Sequence, residues 1–478
     1  MIPARLQPVL DEVRPLAEAL AAAGHPVYLV GGIVRDVLLG RELRPDADLD
    51  LTTPARPAEI KSVVGPLADA VWTQGERFGT IGAKVGGRTV EITTHRADAY
   101  APESRKPEVS FGDDIEGDLA RRDFTVNAMA LRVPDAELID PELIDPFDGA
   151  ADLAAGRLRT PLPPEISFTD DPLRMLRAAR FIAGYRLEPD AELVVAVRAN
   201  APRLEIVSAE RIRDELDKLL VVADPSAGLW FVVDTGLADE FLPELTAMRL
   251  EQDPIHRHKD VLAHTIAVVA KTAPDRIVRL AALLHDVGKP KTRSIGEGGV
   301  SFHHHEVVGA RMARDRMQAL KYPNDDIEAV RQLVYLHLRF HTYAMGWTDA
   351  AVRRFVRDAG DHLSELIELT RCDCTTRNQR KADMLSRRMD ELEERIAVLE
   401  EAEAVKALRP DLDGRQVMDH LGIGPGRHIG QALGFLLELR LDEGPLGEAE
   451  AYRRLDDWWA EQPRRPPGSP DGRAGRRT

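Results

Sequence analysis

LVGGIVRDVLLGRELRPDADLDLTT (residues 29–53) combines an apolar strand, a helix and a second strand with paired acidic residues. Gly31-Gly32 stands where the first strand gives way to the helix, and Asp48 and Asp50 lie two apart near the second strand. Residues two apart on a strand share a face, so both carboxylates should project together. Carboxylates beside a glycine-rich helix start suit a magnesium–triphosphate complex. The pattern therefore predicts a nucleotidyl-transfer site.

A lone acidic pair or a lone glycine pair is common at strand ends and turns, so their order carries the weight. GG-x-x-RD followed by D-x-D resembles the polymerase-β-type nucleotidyltransferases, and more narrowly the bacterial class II family of CCA-adding tRNA nucleotidyltransferases and poly(A) polymerases. The resemblance implies that Asp48 and Asp50 hold Mg²⁺. It also implies that Gly31, Gly32 and Arg35 meet the triphosphate.

The composition is that of a soluble globular protein, with 44% hydrophobic and 30% charged residues among 478. No apolar run approaches the roughly 20 residues of a membrane helix, and no obligate protein partner is evident. The two cysteines, Cys372 and Cys374, fit a reducing cytoplasm rather than a disulfide framework. The net charge of −16 means that any RNA contact must use a local basic surface.

The pattern along the chain predicts an α+β fold, with a small head of mixed sheet and helices before an elongated all-helical body. The resemblance implies that this head is of the polymerase-β type. Residues 1–25 form an amphipathic leading helix, and alternating apolar residues around Gly86-Gly87 predict a β-hairpin. Strands become scarce after Thr169, and residues 378–408 predict one long charged helix. Loops are expected near 253–258, 294–302 and 408–414.

Changes in pattern, together with the resemblance above and the resemblances described below, imply five regions. They are a nucleotidyltransferase head (1–160), a helical neck with base-recognition and RNA-binding residues (161–250), an HD metal-binding helical domain (251–380), a helical tail (381–462) and a disordered basic tail (463–478).

Two further motifs belong to the head. Glu91, in the hairpin strand VEITTHR, is a candidate third carboxylate for the catalytic metals, although an exposed strand glutamate explains it equally well. DLARRDFTVNAMA (118–130) resembles the family's ribose-recognition motif. The resemblance places sugar-binding and phosphate-binding side chains at Arg121, Arg122, Asp123 and Asn127. The polar loop 95–111 matches a family loop associated with the switch from C to A addition, which favours completion of CCA.

TDDPLRMLRAARF (169–181) opens a helix, with Asp171 as expected N-cap and Pro172 at the first helical position. A capped helix with a solvated arginine face is the simplest interpretation of Arg174, Arg177 and Arg180, which lie three apart. The segment also resembles the family's ExDxxR-like motif, with Asp170 where Glu is usual. The resemblance implies that Asp171 and Arg174 pair with the incoming base.

Such a pair has a physical basis for choosing bases. Cytosine and adenine each present an exocyclic amino donor beside a ring-nitrogen acceptor, which a carboxylate and a guanidinium complement. Uracil and guanine reverse that order and would leave buried polar groups unpaired, at about 1–3 kcal/mol each. One Asp/Arg pair can therefore admit C and A without a template.

The body carries a second set of metal-binding residue types, in HKDVLAHTIAVVA, LLHDVGKP and FHHHEVVGA. His-Asp-x-Gly-Lys resembles the HD phosphohydrolase superfamily, and histidines with an aspartate suit an octahedral site for a divalent metal of unknown identity. The positions implied as ligands are His264, His285, Asp286, His305 and Asp373. His303, His304 and His337 compete for these roles, and spacing alone leaves the choice open.

Together these features predict an enzyme that adds C, C and A to tRNA 3′ ends from CTP and ATP with Mg²⁺, in the cytoplasm. The HD region adds a predicted phosphohydrolase activity on cyclic phosphates or phosphomonoesters at damaged tRNA ends. Poly(A) polymerase is the alternative, because the same base pocket serves it. A protein that is chiefly an HD phosphohydrolase, or an RNA-binding protein without activity, explains fewer of the motifs.

Overall fold

The computed structural model describes residues 6–42, 48–96, 111–135, 138, 140–250, 260–296, 299–374, 378–403 and 409–462. It divides into two compact units, Met1–Val334 and Tyr335–Thr478. The predicted architecture is confirmed, since a mixed sheet with helices comes first and helices dominate the rest of the described chain.

The strands are β1 (Tyr28–Val30), β2 (Leu49–Thr53), β3 (Ala70–Trp72), β4 (Thr80–Val85), β5 (Arg88–Thr94), β6 (Ala130–Arg132), β7 (Glu142–Ile144), β8 (Arg157–Leu158), β9 (Glu188–Pro189), β10 (Arg293–Gly296) and β11 (Gly299–Phe302).

The helices of the first unit begin with α1 (Gln7–Ala22), α2 (Gly32–Leu38), α3 (Pro57–Val64), α4 (Ile115–Ala120), α5 (Gly149–Ala155), α6 (Pro164–Asp170), α7 (Leu173–Tyr185), α8 (Ala191–Asn200) and α9 (Ala209–Leu220). They continue with α10 (Ser226–Asp234), α11 (Leu237–Phe241), α12 (Pro243–Ala247), α13 (Val261–Lys271), α14 (Arg276–Leu284), α15 (Lys289–Thr292), α16 (His305–Ala319) and α17 (Asn324–Leu336).

Then follow α18 (Asp349–Ala359), α19 (Leu363–Asp373), α20 (Gln379–Glu403), α21 (Gly414–Leu421), α22 (Arg427–Glu443) and α23 (Glu448–Glu461). Helix α20 accounts for the described part of the long helix predicted at 378–408, whose last residues lie outside the described chain. None of the helices in the described ranges is long and apolar enough to cross a membrane.

The head sheet has, within the described residues, seven strands in the order β3-β4-β5-β2-β1-β6-β7. Strands β2 and β5 are parallel, and the other neighbouring pairs are antiparallel. Leu49, Leu51 and Ile92 point into a core shared with α1, whose own apolar face is buried there. The same strands therefore turn their alternate, acidic residues away from that core.

The predicted hairpin is confirmed, since β4 and β5 pair in antiparallel register across Gly86 and Gly87, both at positive φ. Another expectation is wrong. Residues 294–302 were expected to form a loop, but β10 and β11 form a second hairpin with Arg293 opposite Phe302. Serine and glycine dominate this segment, and only its pairing makes it a strand. The loop expected at 253–258 and the tail 463–478 lie outside the described residues.

Helix α9 is anchored at its C-terminus by a fully buried arginine. Arg279 donates hydrogen bonds to the carbonyl oxygens of Leu220, Val222, Ala223 and Thr272. A guanidinium among the unpaired carbonyls at a helix end satisfies them and complements the helix dipole. This contact fixes the helix whose first turns carry residues of the site described below.

The second unit is built on α18, which packs against α20 and α22. Like Arg279, Arg353 of α18 is a buried arginine that donates to a carbonyl oxygen near a helix end. Its acceptor is the carbonyl oxygen of Leu441, near the end of α22. A separate apolar cluster joins α21, α22 and α23 through Val417, Leu436 and Leu455. The tail helices thus have a core of their own.

Candidate functional site

The acidic residues of the head lie on neighbouring parallel strands. Asp50 of β2 stands directly opposite Glu91 of β5 in the strand register, and Asp48 immediately precedes β2. Because paired residues of adjacent strands share a face, Asp50 and Glu91 present their carboxylates side by side. The backbone at Gly31 comes close as well. A β-carbon there would lie 3.5 Å from Asp50 Oδ2 and 3.6 Å from Nη1 of Arg122.

The electrostatic environment of Asp50 is unfavourable for a charged carboxylate. Partial desolvation raises the pKa of Asp50, Arg122 lowers it, and the carboxylates of Glu91 and Asp48 raise it again. The net shift is upward. A group of carboxylates that disfavour one another's charge is a chemically suitable place for a divalent cation, which relieves the repulsion.

A carboxylate that the sequence did not single out organises this side of the pocket. Asp118 of α4 is fully buried, and its Oδ1 accepts from Arg121 at 3.0 Å and from the backbone N–H of Arg96 at 3.3 Å. Its Oδ2 accepts from Arg122 at 3.1 Å. Although burial opposes ionisation, Arg122 and Arg121 hold the pKa of Asp118 below its usual value.

Asp123 and Asn127 of the ribose motif are buried and hydrogen-bonded to each other. Asn127 donates to Asp123 Oδ1 at 3.0 Å, and Nε of Arg177 donates to Asp123 Oδ2 at 2.9 Å. Burial alone would raise the pKa of Asp123, but Arg177 and the Asn127 hydrogen bond bring it down to about 2. Asp123 is therefore a fixed acceptor at neutral pH, which is suitable for holding hydroxyl groups.

Arg35 lies behind the ribose motif. Its guanidinium donates to Asn127 Oδ1 at 2.6 Å and pairs with Asp36 at 2.9 Å, and it is nearly buried. Its Cζ lies 4.0 Å from the ring centroid of Tyr185, and Arg41 approaches the same ring at 4.4 Å. These contacts give Arg35 a supporting position, and its expected contact with the triphosphate stays a prediction.

The helix of the base-recognition motif begins one residue later than predicted, and its N-cap is Pro172 and not Asp171. Asp171 has an extended backbone, as a residue before proline prefers, and α7 begins at Leu173 instead of Pro172. Pro172 nevertheless has helical dihedral angles, and Asp171 Oδ1 accepts from the N–H of Leu173 at 3.1 Å. The other oxygen, Oδ2, accepts from Nη2 of Arg211 at 2.8 Å.

The three arginines of α7 have different surroundings. Arg174 is buried, donating to Ser167 Oγ at 2.8 Å and to the carbonyl oxygen of Arg121. Arg177 reaches both Asp123 and Glu215, and Arg180 donates to Glu215 Oε2 at 2.8 Å. The buried carboxylate of Glu215, on α9, thus holds two of them.

One cavity of about 370 Å³ unites these groups. Its lining includes Asp50, Arg122, Asp123, Asp171, Arg174 and Arg211. Metal-binding, ribose-motif and base-recognition candidates from residues 50 to 177 therefore surround a single volume, which Arg211 also lines. At its edge, Arg96 forms an isolated β-bridge with Phe111, on either side of loop residues that lie outside the described chain.

The second candidate metal site lies in the same unit, between α13, the end of α14 and the start of α16. The ring nitrogens of His264, His285 and His305 lie 3.6, 3.2 and 3.4 Å from the Asp286 carboxylate. Lys289 Nζ is 2.7 Å from Asp286 Oδ2. Burial opposes ionisation of Asp286, but His285 and Lys289 hold its pKa well below the usual value.

The imidazoles of this cluster are oriented as metal ligands usually are. Nδ1 of His285 lies 2.7 Å from the carbonyl oxygen of Ala282, and Nδ1 of His305 lies 2.8 Å from that of Phe302. A ring nitrogen that donates to a carbonyl leaves Nε2 as the ligand atom. His264, His285 and Asp286 have ligand atoms close enough to hold one ion, so the residues fit a divalent metal.

Exposure separates the competing histidines. The side chains of His303 and His304 are exposed, whereas His305 is buried beside Asp286. His337, also buried, and Asp373 belong to the second unit, where Asp373 ends α19 with its carboxylate 3.8 Å from Nε2 of His341. The assignment of Asp373 as a ligand stays a prediction.

The chain matches three family models in succession. These are "Poly A polymerase head domain" over residues 27–159, "Probable RNA and SrmB-binding site of polymerase A" over 186–249, and "HD domain" over 261–399. The first match contains every candidate residue of the head from Gly31 to Asn127. The third contains the histidine cluster around Asp286.

Two relatives show how far the similarity extends. The A-adding tRNA nucleotidyltransferase of Deinococcus radiodurans is 34% identical over 451 residues, which cover 91% of this chain and 95% of that protein. The CCA-adding enzyme of Limosilactobacillus reuteri is 38% identical over 234 residues, 49% of this chain and 55% of that protein.

Solved structures share the fold. The Bacillus stearothermophilus CCA-adding enzyme in complex with CTP has a TM-score of 0.68 at 23% identity, covering 96% of this chain and 98% of its own. The Thermotoga maritima CCA-adding enzyme complexed with tRNA has a TM-score of 0.59 at 19% identity, covering 96% of both chains. With the nearly full-length sequence similarity above, the chain belongs to the family of bacterial tRNA nucleotidyltransferases and poly(A) polymerases, as a member with an HD domain.

Proposed function

We propose that the chain adds C, C and A to the 3′ ends of tRNA from CTP and ATP without a template. The observation that carries the proposal is the single cavity lined by Asp50, Asp123, Asp171 and Arg174. An enzyme that selects nucleotides without a template needs metal-binding, sugar-binding and base-recognition groups around one bound nucleotide. Positioning of the reactants contributes much of the rate of transfer.

Asp48 and Asp50 are the proposed ligands of Mg²⁺, with Glu91 as a third carboxylate. Two magnesium ions, when bound, lower the barrier by activating the attacking hydroxyl and stabilising the leaving pyrophosphate. The residues of the chain orient the nucleotide. Asp123, held ionised by Arg177, accepts from ribose hydroxyls, while Arg121 and Arg122, fixed by Asp118, face the phosphates.

Base selection is assigned to Asp171 and Arg174. An ionised carboxylate only accepts hydrogen bonds and a guanidinium only donates them, which complements the Watson–Crick edges of cytosine and adenine. The names of the relatives agree with this range of bases, since they are called CCA-adding and A-adding enzymes. The nearly full-length similarity to an A-adding enzyme makes addition of the terminal A alone a second candidate function.

Two tRNA transcripts distinguish the candidates. One ends before CCA and the other ends in CC, and each is incubated with the four nucleoside triphosphates singly and together. Sequencing of the product ends gives the number and identity of the added residues. We expect the first transcript to gain C, C and A and then stop.

Each other result has a distinct meaning. Addition of A to the CC-ended transcript, with no addition to the shorter one, would replace our proposal with A addition. A long A tail on either transcript would identify a poly(A) polymerase. Addition of U or G at rates comparable to C and A would reject the base-recognition assignment.

For the HD region we propose hydrolysis of 2′,3′-cyclic phosphates or phosphomonoesters at damaged tRNA ends. Three imidazoles and a carboxylate around one volume support metal-dependent hydrolysis. The test incubates the protein, loaded with different divalent metals, with a tRNA fragment that ends in a cyclic phosphate. Conversion to a ring-opened or dephosphorylated end supports the proposal, whereas an unchanged end with every metal rejects it.

The regions of the chain fit this division of labour. We propose a nucleotidyltransferase head (1–160), a neck (161–250), an HD domain (251–380), a helical tail (381–462) and a short basic tail (463–478), acting on tRNA in the cytoplasm.

A further inference from the structure

We infer that Arg211 is a positioning residue that sets nucleotide selectivity by holding the carboxylate of Asp171. The inference rests on the proposed function, because it assigns a task to the residue expected to recognise the base. Arg211 lies in the first turn of α9, 40 residues from Asp171 in the chain, and its Nη2 donates to Asp171 Oδ2 at 2.8 Å. Both residues line the cavity that contains Asp50.

The two oxygens of Asp171 have different partners. Oδ1 accepts from the N–H of Leu173, which ties it to the start of α7. Oδ2 accepts from Arg211 and, as a carboxylate oxygen, keeps capacity for a second donor. The contact with Arg211 therefore fixes the rotation of the carboxylate and leaves room for one further donor.

A carboxylate paired with a guanidinium remains a pure acceptor. The exocyclic amino groups of cytosine and adenine supply the donor that it needs. The carbonyl groups of uracil and guanine at the corresponding position would meet it acceptor to acceptor, which is repulsive and leaves both groups unpaired. Without Arg211, the carboxylate loses the hydrogen bond that fixes its second oxygen and can rotate away from the base.

The helix that carries Arg211 is anchored by other contacts. Further along α9, Glu215 is held by Arg177 and Arg180, and the end of the helix is held by Arg279. The side chain of Arg211 itself is 54% exposed, against 24% for Asp171.

Arg174, the expected partner of Asp171 at the base, has a different kind of support. It is buried and donates to Ser167 and to the backbone of Arg121, so its position depends on α6 and the ribose-motif turn. The acceptor and the donor of the proposed base pair are thus positioned by separate parts of the molecule. A change at Arg211 can alter the acceptor while the donor keeps its place.

The test compares kcat/KM for CTP, ATP, UTP and GTP on the appropriate tRNA ends in the full-length protein. In Arg211→Ala we expect the UTP/CTP and GTP/ATP ratios to rise by about tenfold or more, as loss of an unpaired-group penalty implies. Arg211→Lys keeps the charge and should recover part of the discrimination. Arg198→Ala, which removes an exposed arginine from the neighbouring helix α8, is the matched control and should leave the ratios unchanged.

A role of Arg211 in holding RNA or triphosphate would give a different result. An equal fall for all four nucleotides, or a higher KM for tRNA with unchanged ratios, would overturn the inference. Asp171→Asn, measured in parallel, separates the two levels. If Asp171→Asn alters the ratios and Arg211→Ala does not, only the role of Arg211 is rejected. If neither does, base recognition by Asp171 fails as well.

Discussion

The two candidate metal sites contain aspartates in opposite electrostatic states. Asp50 of the head lies beside Glu91 and Asp48, and its pKa is raised by partial desolvation and by these carboxylates, against the opposing effect of Arg122. Asp286 of the HD region is buried, yet His285 and Lys289 hold its pKa well below the usual value. The positive charge near Asp50 is too small to balance its carboxylate, whereas the positive charge near Asp286 is sufficient.

This difference indicates how each site should respond to a metal. In the head, a bound divalent cation would add positive charge that the neighbouring side chains do not provide, so metal binding should stabilise the fold. In the HD region the carboxylate is already balanced by Lys289 Nζ at 2.7 Å, and metal binding depends on neutral imidazoles.

The largest effect is expected from Asp50→Asn. Nucleotide transfer should fall by about three orders of magnitude, because several kcal/mol of metal stabilisation in the transition state are lost. The metal-free protein should melt at a higher temperature, since a raised pKa means that ionised Asp50 opposes folding. This increase in the stability of the metal-free variant is present near neutral pH and disappears below the pKa of an unfolded aspartate.

Melting curves with and without magnesium check this prediction, with Glu192→Gln as a control that removes an exposed acid of α8. The control should behave as the parent does. Two results would contradict this prediction: Asp50→Asn melts at a lower temperature than the parent protein without metal, or it keeps its transfer activity. Either would mean that Asp50 is not a metal-site carboxylate whose charge opposes folding.

His285→Ala addresses the other site. We expect tightly bound metal and hydrolysis of cyclic phosphates to fall by more than about a hundredfold, while nucleotide transfer changes by less than about twofold. Metal analysis of the purified protein and parallel assays of both reactions measure the contrast. Loss of transfer in a variant with an unchanged melting temperature would mean that the two sites depend on each other.

Asp118→Asn removes a carboxylate of the head whose charge, like that of Asp286, is balanced by neighbouring cationic side chains. Removing the charge leaves Arg121 and Arg122 without their buried partner, which should cost about 1–3 kcal/mol of stability and raise KM for the nucleotide more than it lowers kcat. Glu116→Gln, an exposed acid on the same helix, is the control. Equal losses for both variants would remove Asp118 from the site.

The smallest expected effect is a pH dependence of magnesium affinity in the head. A proton on Asp50 competes with the metal, and the raised pKa moves that competition to higher pH than for an ordinary aspartate. The magnesium concentration for half-maximal transfer should therefore rise as pH falls from about 7 to about 5. If the residual activity of Asp50→Asn shows the same rise, another group controls the pH dependence of metal binding.

Local patterns were sufficient for much of the head. Gly31, Asp48 and Asp50 lie close together in the chain, and strand alternation alone predicts that the acids share a face. The hairpin of β4 and β5 follows from its Gly-Gly turn. The scarcity of strand patterns after Thr169 predicted the division into head and helical body. These features depend on contacts short in sequence.

The supporting contacts could not be predicted, because they join distant segments. Arg35 meets Asn127 across 92 residues, and Arg211 meets Asp171 across 40. Asp118 is a different case, because it pairs with Arg121 and Arg122 only three and four residues away. That spacing was a local signal, whereas the complete burial of Asp118 was not visible in the sequence. The hairpin of β10 and β11 was missed because serine and glycine carry little strand preference.

The parallel pairing of β2 with β5 has a consequence for how this head can change in evolution. Asp50 faces Glu91 in the same register that sends Leu49, Leu51 and Ile92 into the core. A single inserted or deleted residue within β2 would exchange the faces, burying acids and exposing leucines. Point substitutions keep this register and can change the chemistry of the site gradually. An insertion or deletion in β2 should instead prevent folding, so selection should remove it whatever its effect on activity.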